Sequence, residues 1–264
     1  MRGVVAGLAL LGVLIAAALA AGVVAPADPY ATELAARLRP PDASHWLGQD
    51  ALGRDVLARV LRGARISLAV GGAVVILSLA VGVTIGATAG WAGGWVDEGV
   101  ARVIDVLLAF PGLLLAIALA AVLGPSLRNV VLALTLLGWT GYARLARAEI
   151  AALRRREFVQ AAQALGARPA RIVVRHLLPL AAPALIVQAT FGMAGAIVAE
   201  ASLSFLGLGA PPPLPSWGAM IDEGRPFLLV APHLTLFPGL ALAVTVLALQ
   251  LVGDGLRDLL DVRE

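Results

Sequence analysis

Uncharged stretches divide this chain more sharply than any other feature. They cover residues 3–27, 66–96, 106–127, 177–199 and 226–253, the last with only His233 inside it. A bilayer core needs about 20 apolar residues in helical form, so each of these runs is long enough to span one. One more run, 129–143, which makes six in all and is the fourth in chain order, is shorter. It reaches span length if its last turn carries Arg144 outward to the interface. The pattern predicts an all-α integral membrane protein with six transmembrane helices.

Composition agrees. Of 264 residues, 60% are hydrophobic and 14% charged, against about half and about a quarter in a soluble domain. All twenty basic residues are arginine, which removes a Walker A lysine, a Schiff-base lysine and a serine–lysine dyad. Any ATP must therefore be bound by another subunit. The absence of cysteine excludes disulfides and thiolate chemistry, and His45, His176 and His233 are too scattered to form a metal cluster. No catalytic and no metal residue is assigned.

Arginine also sets the orientation. Between the fourth and fifth runs, Arg144, Arg147, Arg154, Arg155, Arg156, Arg168, Arg171 and Arg175 face only Glu149 and Glu157, so the positive-inside rule makes this loop cytoplasmic. Counting spans outward from it places both termini in the cytoplasm, with Arg2 in agreement. The segment 28–65, with six arginines largely balanced by Asp28, Glu33, Asp42, Asp50 and Asp55, falls outside. The first run has Ala-x-Ala sequences at 18–20 and 25–27, as a signal peptide would, but exceeds the usual length of a signal core. It is read as a retained helix.

Within the cytoplasmic loop, EFVQAAQALGARPARIVVRHLLP (157–179) describes two short helices. Phe158, Ala161, Ala162 and Leu165 share one apolar face. Gly166 is a helix stop and Pro169 suits a first turn. The pair has the spacing of a DNA-reading helix-turn-helix, but a helix pinned between membrane spans could not easily enter a major groove. A basic loop that only fixes topology would not require the apolar face. That face calls for a partner groove, and no nucleic acid is expected.

At these residues the chain resembles the permease subunits of ABC importers with the type I fold, whose cytoplasmic loop carries Glu-Ala-Ala, three residues, Gly and a later Leu-Pro. Here the pattern is Gln160-Ala161-Ala162, Gly166 and Leu178-Pro179, with Gln160 in the acidic position. HWLGQDALGRD (45–55), GARISL (63–68), GGWVD (93–97), AFP (109–111), YARL (142–145), AEASLSFLGLG (199–209), PSWG (215–218) and VGDGLRDLLD (252–261) resemble the dipeptide, oligopeptide and nickel permeases, and among them the second of two permease subunits. The resemblance implies a prokaryotic cytoplasmic (inner) membrane protein. Its partners would be a homologous permease, two ABC ATPase subunits that bind ATP and Mg²⁺, and an extracytoplasmic substrate-binding protein. No cofactor is expected in this chain. The implied divisions are 1–62, an N-terminal helix and extracytoplasmic segment; 63–254, the type-1 transmembrane domain with its coupling loop at 144–179; and 255–264, a cytoplasmic tail. The coupling-helix residues would be Phe158, Gln160, Ala161, Ala162, Leu165 and Gly166. Peptides are the expected cargo, with nickel or a metal chelate as the alternative.

Other classes fit less well. A secondary transporter needs ionisable residues within its spans, and these runs hold almost none. An intramembrane protease would need Ser78, Ser202 or Ser204 with His233 as base, but no serine lies in a glycine-rich active-site turn. Pro111, inside the third run, predicts a kink. Trp91, Trp95, Trp139, Tyr142 and Trp217 near the run ends predict an interfacial aromatic belt. Glu200 is the one acid in the stretch 177–208. It is either a structural group hydrogen-bonded to backbone or to Ser202 and Ser204, or an outer gate paired with an arginine such as Arg225 or one on the partner permease.

Overall fold

The computed structural model describes residues 2–260, with Arg2 entering only through its backbone. Its helices are α1 (Arg2–Leu19), the single turn α2 (Ala21–Val24), α3 (Val56–Ala92), α4 (Gly94–Leu108), α5 (Gly112–Leu123), α6 (Leu127–Leu153), α7 (Glu157–Ala164), α8 (Pro169–Ile172), α9 (Leu178–Phe205), α10 (Trp217–Gly224) and α11 (His233–Leu260). A π turn over Val173–Leu177 joins α8 to α9. Pro179 has no N–H to donate and its ring crowds the preceding carbonyls, and the wider turn just before it absorbs that defect. Among the described residues, the isolated antiparallel bridge Gln49–Asp55 is the only β feature.

Three helical stretches, Val56–Ala92, Pro169–Phe205 and His233–Leu260, are long and apolar enough to cross a membrane. Each of the six apolar runs lies on helix, with shifted ends. The second begins at Val56, not residue 66, because Asp55 caps α3 by accepting from the Ala58 N–H at 2.7 Å. The fourth run becomes α6, which continues through Arg144, Arg147 and Glu149 to Leu153. The third run is the main departure. Pro111 does not kink one continuous helix; it stands between α4 and α5, which diverge by 81°. A proline with φ −58° and ψ 112° starts α5 as its capping residue. The last helix runs on through residues 255–260 of the expected tail, while 261–264 lie outside the described residues.

Helix α3 is the spine, and close backbone approach explains its packing. Gly82, Gly86 and Gly90, at spacing i, i+4, i+8, lie against the carbonyls of Trp139, Ala143 and Arg147 on α6. A Cβ at Gly82 or Gly90 would stand 2.5 Å from the facing oxygen, so the stripe admits only glycine. Helix α9 crosses α3 near Gly71 and Ile197, and α1 returns along α11, where Gly7 faces the Ala248 carbonyl. The largest apolar cluster, with Val70, Val74, Ala116, Val130, Leu134 and Leu203, joins α3, α5, α6 and α9.

The predicted aromatic belt is only partly realised. Trp95 is exposed, but Trp139, Tyr142 and Trp217 are buried inside the bundle. The Trp217 indole N–H donates to the Val60 carbonyl at 3.0 Å, tying α10 to α3.

Candidate functional site

Beyond Leu153 the chain turns through Arg154–Arg156 and forms α7, then α8. Val159 and Ile172, one from each helix, are fully buried. They join Ala87 of α3, Ile150 of α6 and Leu177 in one apolar cluster, with Ala162 half-buried against it. The two-helix unit is thus seated on the ends of three long helices. The Arg154 guanidinium lies 5.5 Å from the centre of the Trp91 ring and adds a cation–π contact at the same junction.

The opposite side of α7 is uncovered. Phe158 is 43% exposed and Leu165 89%, with Ala161 between them also exposed. Gln160 is exposed, its amide reaching the Arg155 carbonyl at 3.5 Å. Gly166 has φ +78°, the left-handed conformation that ends the helix. The structure therefore divides the face expected from sequence. Phe158, Ala161 and Leu165 form the outward stripe, and Ala162 belongs with Val159 on the inner side. Val159 was missed because it breaks the 158/161/165 spacing; its own signal is the second spacing, 159/162. Arg168, Arg171 and Arg175, in and around α8, are exposed.

Glu200 is fully buried between α9 and α3. Its carboxylate accepts from Ser204 Oγ at 2.7 Å and from Ser67 Oγ at 3.0 Å. The suggested pairing with Arg225 is not formed: that guanidinium lies over the Phe205 ring at 5.5 Å and 3.9 Å from Asp222. Of the two serines expected as partners only Ser204 serves, since Ser202 donates to Val198 within its own helix. Ser67, remote in sequence, supplies the other bond. Glu200 accordingly joins α9 to α3. No protease pairing appears either: His233 faces the Gln49 carbonyl at 3.4 Å, away from these serines' bonds.

The segment 45–55 builds a charge cluster at the other end of α3. Arg54 Nε meets Asp50 at 2.6 Å, and Arg54 and Arg59 each donate to Glu223 Oε2 at 2.8 Å. Arg59 Nε also lies 3.4 Å from Asp50, with the Arg59 side chain 1% exposed. His45 Nδ1 and Asp55 Oδ2 are 2.7 Å apart. The motif thus ties the segment after α1 to α10, which follows α9. Glu223 was not singled out from the sequence, because its partners lie more than 160 positions away.

Known proteins resemble this chain in family and in fold. Residues 82–264 match the family described as binding-protein-dependent transport system inner membrane component. The glutathione transport system permease protein GsiD of Shigella dysenteriae is 48% identical over 221 residues, 84% of this chain and 73% of that protein. The dipeptide transport system permease protein DppC of Alkalihalophilus pseudofirmus is 44% identical over 225 residues, 85% of this chain and 74% of that one. A chain of the MetNI methionine ABC transporter, in an inward-facing conformation, superposes with a TM-score of 0.63 at 19% identity, covering 76% of this chain and 96% of its own. That likeness concerns the fold.

Proposed function

The chain belongs to the inner-membrane permeases of binding-protein-dependent ABC importers, and from that premise we propose that it forms half of an ATP-driven translocation pathway for short peptides. It is a multi-pass membrane transport subunit, not an enzyme, and its family works with a partner permease and ATPase subunits. In our reading the partner permease is homologous, two ATPases bind on the cytoplasmic side, and an extracytoplasmic binding protein delivers cargo. Glutathione and dipeptide permeases are the similar proteins, which favours peptide cargo over nickel.

The observation that carries the reading is the two-sided α7. Its inner side is anchored by Val159 in the bundle while Phe158, Ala161 and Leu165 stand uncovered. A short helix fixed to the spans on one side and apolar on the other can pass a partner's movement directly to α3, α6 and α9. Coexpression with the partner permease, the ATPases and the binding protein, followed by reconstitution, tests it. ATP-dependent accumulation of a dipeptide or glutathione is expected. An assembled importer that accumulates neither overturns the proposed cargo.

A further inference from the structure

An apolar groove of about 840 Å³ runs between α3, α9 and α11, walled by Val75, Ile76 and Leu79 of α3, Ile186 and Met193 of α9 and Leu249 of α11. A second hollow, of about 420 Å³, continues it toward α8, with Ala87 and Trp91 on one wall and Ala170, Val173 and Val174 on the other. Val83, Thr84 and Leu178 line both, so the two form one furrow. From Val75 to Trp91 it follows α3 for about 24 Å at 1.5 Å per residue. A bilayer measures about 40–45 Å with its head groups, so the furrow has about the depth of one leaflet.

The lining is mainly aliphatic and holds no charged side chain. Its threonines are already satisfied: Thr84, Thr88 and Thr190 donate to carbonyls of their own helices at 2.7, 2.9 and 3.0 Å. Helices that pack together inside a membrane gain nothing from apolar contact alone, and approach through small residues and shared polar bonds. The glycine stripe that α3 presents to α6 meets that need. The furrow, which contains no glycine and has no hydroxyl to share, suits an acyl chain better than a helix.

Polarity returns where the furrow ends. The Arg154 guanidinium lies 5.5 Å from the centre of the Trp91 ring, and a Cβ at Gly93 would stand 3.2 Å from its Nη1, so an exposed cation is held over the last turn of α3. Arg171 and Arg175, also exposed, alternate in sequence with the furrow residues Ala170, Val173 and Val174. We infer that the furrow holds a phospholipid from the leaflet on the α7–α8 side, with one acyl chain along α3 and α9 and its phosphate at Arg154. The basic surroundings select an anionic head group. This site is independent of the cargo.

The test uses the complete importer in phosphatidylcholine nanodiscs doped with phosphatidylglycerol that carries a diazirine on one acyl chain. Label should fall on the α3 and α9 peptides that contain Leu79 and Ile186. Unlabelled phosphatidylglycerol should compete about fivefold better than phosphatidylcholine, the scale of one cation at a membrane surface. Ala80→Trp fills the furrow from an exposed position and should cut the labelling about fivefold or more, whereas Val13→Trp, on an exposed part of α1 outside the lining, should leave it unchanged. Arg154→Gln keeps the walls intact, so it tests the site even if Ala80→Trp fails to assemble; labelling should persist while the preference for phosphatidylglycerol disappears. Labelling that ignores both substitutions reports bulk lipid only and overturns the site, and an unchanged preference in Arg154→Gln removes the head-group assignment. A cysteine can be introduced singly, since the chain has none. Efficient crosslinking of Ile186→Cys to the partner permease would make the furrow a subunit interface and would equally overturn the inference.

Discussion

At the scale of single residues, the two sides of α7 can be separated by mutation. Ala161 is exposed and Ala162 half-buried, so the same substitution should act differently at neighbouring positions. Ala161→Arg is expected to abolish copurification of the ATPase while the chain still inserts and folds; retention of the ATPase at wild-type level would count against docking through this face. Ala162→Arg should instead disturb the seating of α7 on Val159 and Ile172, and lower the yield of folded chain. Gly166→Ala forces a side chain into the left-handed region at φ +78° and should cost about 1 kcal/mol of local stability. Glu200 permits an equally sharp contrast. Glu200→Gln keeps a group able to accept from Ser67 and Ser204, so transport and thermal stability should stay near wild type. Glu200→Leu leaves both hydroxyls buried without their acceptor and should destabilise the chain by about 1–3 kcal/mol, read as a lower melting temperature in detergent.

At the scale of elements, the spans and the two-helix loop were legible because length, uncharged composition and the 3.6-residue period all act locally. Asp55 as the cap of α3, Gly166 as the stop of α7 and Pro169 at the start of α8 each follow from a neighbour or two. The breaks were harder. A proline in an apolar run is compatible with a kink or with a full turn of the chain, and the 81° divergence at Pro111 is decided by where α5 can pack, against α6 and α9. The burial of Trp139, Tyr142 and Trp217 was likewise illegible, because an aromatic near a span end suits a lipid interface and a helix interface equally. The glycine stripe of α3 tests the packing that makes these choices. With Gly86 lying on the Ala143 backbone, even Gly86→Ala should push α3 from α6, and Gly86→Leu should prevent folding, seen as loss of the monodisperse peak in size-exclusion chromatography. Gly72, with open space at its Cβ, should accept alanine without loss.

At the scale of the whole molecule, the two ends of α3 define two sides of the membrane. The helix has 37 residues, about 55 Å at 1.5 Å per residue, enough to cross a bilayer core with turns to spare. At its start, the cluster of Asp50, Arg54 and Arg59 grips Glu223 of α10, so the segment 45–55 and α10 must share one side. Near its end, Ala87 packs with Ile150, Val159 and Ile172, so the arginine-rich α7–α8 unit lies on the other. We propose, from the positive-inside rule, that the second side is the cytoplasmic one. The arginines of the outer cluster do not contradict this, since Asp50 and Glu223 hold them. Reporter fusions after Arg156 should therefore signal cytoplasm, and fusions near Asp50 and Ser216 should both signal the exterior. The two outer sites are coupled by the same ion pairs, which gives a stronger version of the test. Glu223→Gln removes the acceptor charge from nearly inaccessible Arg59, and breaking a buried pair costs about 3–5 kcal/mol, with less expected here because Glu223 is 36% exposed. In right-side-out vesicles that substitution should leave the topology unchanged and make both the 45–55 segment and the α10 region more sensitive to external protease together. Sensitisation of only one of them would mean that the cluster does not join the two, and a cytoplasmic signal near Asp50 would overturn the assignment of sides.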